Sequence, residues 1–207
     1  MNTGHLLSKE ALFLMGWLKG LGMQMATKAI YFMAEAHKGQ KRDDGRDYAE
    51  HPTRIARMLL SLGIRDEATI VAALHHDTVE DGRTTLQTIR EKFGDDVALL
   101  VDLLTKNKNM SAEEYQRNLR RDKRAVLIKA ADRLCNVEDM VDVFTSERLI
   151  KYIKETEEVI IPMMKWARRE FPEYANILII LRDSIKAILR VAKKLAQVEN
   201  MKAGAGV

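Results

Sequence analysis

Residues 73–81 read ALHHDTVED, and this short stretch decides how the rest of the chain is interpreted. It follows an apolar run and places two imidazoles and three carboxylates within seven residues. If the run continues as a helix, His76 and Glu80 lie four residues apart, as do Asp77 and Asp81, so each pair shares a helix face. The pattern predicts a helix end that gathers ligands for a divalent cation and a carboxylate pair for water. A polar helix end with solvated charges is the alternative.

The composition is that of a globular chain with a substantial core. Apolar residues make up 46% and charged residues 31% of the 207 residues, which argues against a disordered chain. The single cysteine, Cys135, excludes an internal disulfide framework and favours a reducing compartment, so we expect a cytoplasmic protein. The net charge of +4 is mild and suits a small anionic substrate. No basic stripe is interleaved with aromatic residues, so we expect no nucleic-acid partner.

An apolar run at residues 11–18 could belong to a signal peptide. Glu10 adjoins it, no clean small-x-small cleavage site follows, and the run is too short to cross a bilayer. We therefore expect no membrane association, and a leading helix that packs on the core or mediates a homo-oligomer. The expected organisation is an extension helix over residues 1–22, one main domain over 23–200 and a frayed tail over 201–207.

Apolar residues recur at helical spacing along the chain, and no strand-like alternation of any length is present. Asp66 is expected to cap the helix that carries the central stretch, and Gly82 to end it. Thr84 or Thr85 is expected to cap the next, short helix, and Gly94 to end that one. Pro52 suits a first helical position, which would place His51 at the helix cap, and Pro162 is expected to kink a long helix. The sequence therefore predicts an all-α bundle of about nine to ten helices. They cover residues 5–19, 23–37, 51–62, 66–81, 84–93, 95–105, a helix from 111 to a break near 122, 125–134, 146–170 and 173–198.

Four residues capable of binding a metal occur at predicted helix starts, ends and interiors: His51, His76, Asp77 and Asp132. Asp132 lies inside a strongly apolar helix, where a carboxylate is costly unless it is hydrogen-bonded or bound to a metal. Two imidazoles with two carboxylates suit a divalent first-row metal such as Mn²⁺, Fe²⁺ or Zn²⁺. Such a metal would lower the pKa of a water and polarise a phosphoryl oxygen.

This ordered set, His…His-Asp…Asp, resembles the signature of the HD phosphohydrolase superfamily. Several further segments resemble the hydrolase domain of the RelA/SpoT alarmone enzymes, and the likeness covers residues 24–180, within the main domain over 23–200. The matching segments are, in this order, Ala36–Arg42, His51-Pro52, His76–Asp81, Phe93-Gly94, Leu104–Lys106 and Lys129–Asn136. The resemblance implies an HD-domain fold and an enzyme that removes the 3′-pyrophosphate of guanosine tetra- or pentaphosphate.

The same resemblance implies roles for individual residues. The four residues of the ordered set would hold the metal, usually Mn²⁺. Glu80 and Asp81 match the pair that orients and deprotonates the attacking water. Arg42 matches an arginine that contacts the nucleotide, with Lys41 beside it, and Asn136 matches an asparagine that contacts the substrate.

Basic residues on two loops agree with a substrate that carries several negative charges. One loop spans residues 38–46, and the other holds Lys106 and Lys108, so we expect Lys108 to bind substrate as well. The alternative for the first loop is a solvated surface turn. For Glu80 and Asp81 the alternative is that they neutralise the metal's surroundings without transferring a proton.

The chain departs from the large bifunctional enzymes on the substrate side of the motif. Cys135 stands where those enzymes carry a histidine, and Glu138 stands where a base is common. Lys106 stands in place of the pair of acids that small stand-alone alarmone hydrolases usually carry there. Asp139 instead resembles the pattern of small stand-alone alarmone hydrolases, and no synthetase domain fits the sequence. An adenosine alarmone as substrate, another phosphohydrolase activity such as an NADPH 2′-phosphatase, and a non-catalytic alarmone sensor therefore remain open alternatives.

Overall fold

The chain is helical throughout the part that the computed structural model describes, residues 7–141 and 143–204. An isolated antiparallel bridge between Lys41 and Asp47 is the only β-type pairing in those residues. The helices are α1 (Lys9–Gly20), α2 (Gln24–Ala36), α3 (Glu50–Ser61), α4 (Glu67–His75), α5 (Leu86–Phe93), α6 (Asp95–Leu104), α7 (Ala112–Leu119), α8 (Lys123–Met140), α9 (Ser146–Glu155), α10 (Ile161–Glu170) and α11 (Ala175–Gly204). The predicted all-α class is confirmed, and the described helices number ten when α9 and α10 count as one.

The chain divides into two compact units, Met1–Lys129 and Ala130–Val207, and the boundary falls within α8. In the N-terminal unit, α4 packs against α2, α3 and α6, while α1 packs on α2 and α3. Residues 68–76, which include most of α4, are buried, as expected for a helix surrounded by other helices. The C-terminal end of α4 therefore lies in the core of this unit. The division into extension, main domain and tail stays a prediction, and residues 1–6 and 205–207 lie outside the described residues.

In the C-terminal unit, α11 packs on α9 and α10. A π-helical turn, Thr156–Ile160, joins α9 to α10, and a 3₁₀ turn, Pro172–Tyr174, precedes α11. Pro162 lies in the first turn of α10, directly after the π turn. Because proline lacks an N–H, the regular helical bond cannot continue at this position, and the predicted single helix over residues 146–170 is divided here by the π segment. The kink itself stays a prediction.

Two local predictions about helix bounds were wrong, and the first concerns the central stretch. The helix α4 ends at His75, and residues 76–82 form consecutive turns, so Gly82 does not end the helix. The hydroxyl of Thr78 donates to the carbonyl oxygen of His75 at 2.9 Å, and such side-chain bonds compete with helix continuation. One helix-like bond remains, from Asp81 N–H to Asp77 C=O at 2.9 Å.

The other correction concerns the start of α3. The helix begins at Glu50, so His51 is its second residue instead of its cap. Pro52 is then the third helical residue, where a missing N–H still costs nothing because the first four N–H groups of a helix have no acceptor within it.

Several capping predictions were correct. The Asp66 carboxylate accepts from Thr69 N–H at 3.0 Å, and the Thr85 hydroxyl accepts from Thr88 N–H at 3.1 Å. Gly94 separates α5 from α6 with a φ of +87°, a conformation that favours glycine. Among the described residues, no helix combines the length with the apolar character that a membrane crossing requires.

Candidate active site

Three of the predicted metal ligands meet in the N-terminal unit. His51 comes from the first turn of α3, while His76 and Asp77 directly follow α4, which packs against α3. One potential ligand atom from each residue lies within 4.8 Å of the others. The Nε2 atoms of His76 and His51 lie 2.9 Å and 3.9 Å from Asp77 Oδ2. A contact between two helices has thus joined residues that lie 25 positions apart in the sequence.

The tautomer of His76 is fixed by the backbone. Its Nδ1 lies 2.9 Å from the carbonyl oxygen of Ala73, and a carbonyl only accepts, so Nδ1 must carry the proton and donate. The lone pair of Nε2 in the neutral imidazole then faces the Asp77 carboxylate. Two acceptors at 2.9 Å repel each other, and either a second proton, on Nε2, or a metal ion between them would relieve this repulsion. The approach of His51 Nε2 to the same oxygen favours the metal ion, and the backbone bond to Nδ1 is typical of histidines that bind metals.

The donor set fits a divalent first-row metal. Nitrogen and oxygen ligands bind such ions at about 2.0–2.2 Å, so two ligands of one ion lie at most roughly 4.4 Å apart. The distances of 2.9 Å and 3.9 Å fall within this limit. The side chains of His51 and His76 are 1% and 2% exposed, whereas that of Asp77 is 21% exposed. The cluster is therefore shielded on the imidazole side and accessible to solvent on the carboxylate side.

Tyr48 supports the ligand cluster from the loop before α3. Its hydroxyl donates to Asp77 Oδ2 at 2.5 Å, and its ring packs edge-on against His51 with centroids 5.8 Å apart. On the other side the ring stacks on His37, with centroids 4.7 Å apart. Sequence reasoning missed Tyr48, because a lone tyrosine between a polar loop and a helix carries no signal of its own.

A second chain of hydrogen bonds runs from His37 to Asp81. His37 is buried, and its Nδ1 lies 2.8 Å from Gln40 Oε1, which can only accept. Gln40 Nε2 in turn donates to Asp81 Oδ2 at 2.8 Å. Burial lowers the pKa of His37, against the opposing effect of the Gln40 hydrogen bond. Both residues lie within a segment that carries the family resemblance, but the sequence alone gave them no role.

Glu80 and Asp81 leave the helix but remain beside the ligand cluster. Glu80 Oε2 accepts from the backbone N–H of Lys106 at 2.8 Å, which holds the carboxylate in place. Partial burial raises the pKa of Glu80, and the nearby Asp77 and Asp81 charges add to this effect. The Lys106 N–H and the Lys129 charge oppose it. A raised pKa suits a carboxylate that accepts a proton from water near neutral pH.

The two basic residues of the first loop are placed differently. Arg42 has its guanidinium carbon 5.8 Å from the centre of the Tyr48 ring, the same ring whose hydroxyl binds Asp77. Lys41 instead donates to Asp47 Oδ1 at 2.7 Å, with both side chains exposed. Arg42 is therefore linked to the ligand cluster through Tyr48, whereas the charge of Lys41 is partly compensated by Asp47 on the same loop.

Three further predicted site residues are Asp132, Asn136 and Lys108. Asp132 is 3% exposed in the C-terminal unit, and the side-chain amide of Asn136, one helical turn later, donates to Asp132 Oδ1 at 2.6 Å. Lys108 is exposed in the connection between α6 and α7. Within its own unit, Asn136 orients a carboxylate. That Asp132, Asn136 and Lys108 join the site stays a prediction.

Two basic residues near Glu80 share an aromatic ring that sequence reasoning missed. The Nζ atoms of Lys106 and Lys129 lie 5.9 Å and 5.8 Å from the centroid of Tyr115. The Tyr115 hydroxyl donates to the carbonyl oxygen of Leu104 at 2.8 Å, which fixes the ring. Lys106 and Lys129 add positive charge on the side of the site where Glu80 lies.

Comparison with known proteins identifies relatives of this chain. A family model described as an HD domain matches residues 29–165. The chain is 42% identical over 144 residues to a guanosine-3′,5′-bis(diphosphate) 3′-pyrophosphohydrolase of Aquifex aeolicus, and 33% identical over 170 residues to a GTP pyrophosphokinase of Myxococcus xanthus. These matches cover 66% and 73% of the chain, but only 20% and 22% of the relatives. The chain thus spans about a fifth of the length of these curated relatives.

A solved structure has a fold similar to that of this chain over most of the length of both. It is described as a metazoan ortholog of SpoT that hydrolyzes ppGpp and plays a role in starvation responses. The TM-score is 0.65 at 25% sequence identity, and the match covers 81% of this chain and 94% of that chain.

Proposed function

We propose that this chain, which belongs to the HD-domain family, is a metal-dependent hydrolase. It would remove the 3′-pyrophosphate from a guanosine nucleotide such as ppGpp. The approach of His76 Nε2 to Asp77 Oδ2, with the proton fixed on Nδ1, is the observation that carries this proposal. The names of the Aquifex relative and of the metazoan structure supply the substrate class.

His51, His76 and Asp77 would hold the metal, with Asp132 as a fourth ligand. We propose Mn²⁺ as the physiological ion, with Fe²⁺ and Zn²⁺ as the alternatives that the same donors accept. Such an ion supplies charge that lowers the pKa of a water and stabilises the negative charge that develops on phosphoryl oxygens. Tyr48, through its bond to Asp77, keeps one carboxylate oxygen oriented toward the imidazoles.

Glu80 would take the proton of the attacking water. Its carboxylate is anchored by the Lys106 N–H, and partial burial raises its pKa, which makes it a stronger base than an exposed carboxylate. The water oxygen would bond to the phosphorus that carries the ribose 3′-oxygen, and the bond from that phosphorus to the 3′-oxygen would break. The 3′-oxygen leaves with a proton as a hydroxyl, and the products are pyrophosphate and a nucleoside 5′-diphosphate. Asp81, held by Gln40, would orient the same water.

Basic residues would hold the nucleotide against this site. Arg42, next to Tyr48, is the strongest candidate because a guanidinium can stack on a base or bind phosphate with two hydrogen bonds. Lys41, Lys108 and Asn136 are proposed as further substrate contacts. Of these, Lys41 would have to exchange its bond with Asp47 for one with the substrate.

A product assay tests the proposal directly. The full chain is stripped of metal, resupplied with Mn²⁺ and incubated with ppGpp, its adenosine analogue or NADPH, and the products are separated by ion exchange. We expect pyrophosphate and GDP from ppGpp. Cleavage of the adenosine analogue at an equal rate would show that the base is not recognised.

Two results would overturn the proposal. Orthophosphate released from NADPH, with ppGpp left intact, would make the protein a 2′-phosphatase. Tight ppGpp binding without any turnover would make it a sensor. The matched control is Asp96→Asn, which removes a carboxylate of the same unit that contacts Arg124 instead of the ligand cluster. This variant is expected to keep full activity.

A further inference from the structure

A basic cavity lies between α10 and α11, entirely within the C-terminal unit. It has a volume of about 330 Å³ and is lined by Pro162, Lys165, Arg168, Arg169 and Arg182. Four of its five lining residues are therefore cations, and none is acidic. The candidate metal ligands His51, His76 and Asp77 belong to the other unit, so the catalytic proposal makes no use of this cavity.

The cations are gathered by helix geometry. Along α10 the spacings from Lys165 to Arg168 and Arg169 are three and four residues, which places all three on adjoining parts of one helix face. Like charges at these spacings repel each other. The α11 residue Arg182 brings a fourth positive charge to the same cavity. The protein therefore holds a repulsive cluster that an anion would relieve.

Acidic compensation is sparse around this cavity. Arg182 donates from Nε to Asp183 Oδ1 at 2.8 Å, and this is the only ion pair that the lining cations make within the described residues. Two other basic side chains pair with carboxylates from a different helix or turn, Arg57 with Glu10 and Lys193 with Glu157. The cavity between α10 and α11 differs from these two pairs because it gathers four cations and its lining holds no carboxylate.

We propose that this cavity is a binding site for a compact phosphate anion with several charges, such as pyrophosphate or triphosphate. One guanidinium group can donate two parallel hydrogen bonds to a phosphate, and three of the four cations are arginines. The lining contains no aromatic side chain on which a base could stack, so the site would recognise the phosphates and ignore a nucleoside. The volume lies at the lower end of the range for small-molecule pockets, which also favours a small ligand.

Equilibrium dialysis with labelled pyrophosphate tests the proposal on the full, metal-loaded chain. Arg168→Gln with Arg169→Gln should remove one bound pyrophosphate per chain or raise its Kd by about tenfold or more. The matched control is Lys186→Gln with Arg190→Gln, which removes the same net charge from exposed positions of α11 outside the cavity. Arg182→Gln is the second test variant, because it reaches the cavity from the other helix.

The outcome does not depend on the proposed catalytic site. Pyrophosphate bound at the proposed metal site would still bind in both double variants. Arg42→Gln would instead weaken binding at the metal site and leave binding in the cavity unchanged. Inorganic triphosphate and GTP should bind the cavity equally well. If the Lys186→Gln, Arg190→Gln control lost pyrophosphate binding equally, the loss would be explained by general surface charge, and the proposal would be overturned. A single-stranded RNA that displaces pyrophosphate at far lower concentration would also overturn it, in favour of a nucleic-acid surface.

Discussion

Asp77 and Asp96 both lie next to nitrogen-bearing side chains in the N-terminal unit, but the nitrogens differ in chemistry. Arg124 binds Asp96 with two parallel hydrogen bonds of 2.7 Å and also reaches Asp122 at 2.8 Å. Its guanidinium is permanently charged. Asp77 instead faces the Nε2 atoms of two imidazoles, and in His76 the proton is held on the opposite nitrogen.

The difference separates a structural cluster from a candidate ligand site. In the Arg124 cluster every acceptor meets a donor, so the charges are compensated by the protein itself. In the Asp77 cluster, two imidazole nitrogens converge on a carboxylate oxygen that also accepts from Tyr48, and a bound metal ion would complete this arrangement. Mutations in the two clusters should therefore act on different quantities. Changes around Asp77 should alter metal affinity and turnover, while changes around Arg124 should alter stability.

The largest effect is expected from the ligand site. Asp77→Asn or His76→Ala removes a metal ligand and should lower turnover of ppGpp by about 10³-fold, since the charge stabilisation supplied by the metal is worth several kcal/mol. Steady-state kinetics with Mn²⁺ measures this loss, with Asp96→Asn as the control that keeps its activity. If His76→Ala retained full turnover, the metal site would have to lie elsewhere.

A smaller effect is expected at the residue that orients the ligand. Tyr48→Phe removes the hydroxyl that donates to Asp77 Oδ2 but keeps the ring that stacks on His37. Mn²⁺ affinity should fall by about 10- to 100-fold, as is typical when a group that orients a ligand is lost. Calorimetric titration with Mn²⁺ gives the affinity, and Tyr31→Phe on the exposed surface of α2 is the control. An unchanged affinity would mean that the hydroxyl has no orienting role.

The Arg124 cluster should respond in stability alone. Arg124→Met leaves Asp96 and Asp122 without their guanidinium partner, and we expect the free energy of unfolding to fall by about 1–2 kcal/mol. Urea denaturation measures this change. Arg90→Met is the matched control: its pair with Asp95 is 50% and 90% exposed and should contribute less than about 0.5 kcal/mol. A loss of Mn²⁺ affinity in Arg124→Met would contradict the separation of the two clusters.

The smallest effect concerns acid pH. The hydrogen bond from Arg124 holds the pKa of Asp96 below its ordinary value of 3.8. A depressed pKa stabilises the folded state above the unfolded value, and this contribution is lost as the pH falls from about 4 through the folded pKa. Asp96→Asn should therefore flatten the dependence of unfolding free energy on pH below about pH 4, measured by urea denaturation at several pH values. An unchanged slope would show that the pair is fully screened by solvent.

Local features of the fold could be predicted from the sequence because they depend on neighbouring residues. The caps at Asp66 and Thr85 each need only a side chain and the N–H three residues later. The turn at Gly94 needs only a glycine and the carbonyl of Arg90, four residues earlier. Helical periodicity likewise gave the all-α class. The HD-domain assignment was confirmed because the ordered histidines and aspartates are specific even without structure.

The end of α4 could not be predicted in the same way. The sequence favours a helix through residue 81, but Thr78 bonds to the His75 carbonyl, and its own carbonyl accepts from Arg83 and Thr84 at 2.8 Å and 3.1 Å. These bonds replace the helical ones. Glu80 and Asp81 consequently take their positions from Lys106 and Gln40 instead of from a shared helix face.

The sequence by itself determined the helical class and which residues form a candidate donor set, since residue types at given spacings define both. Only the tertiary structure decided how three of them meet, because the packing of α3 on α4 brings His51 to Asp77 across 26 positions. It also decided which neighbours orient them. Tyr48, His37 and Gln40 act through contacts that have no sequence periodicity, and the physical reason is that hydrogen bonds between distant residues form only once helix packing has fixed their distances.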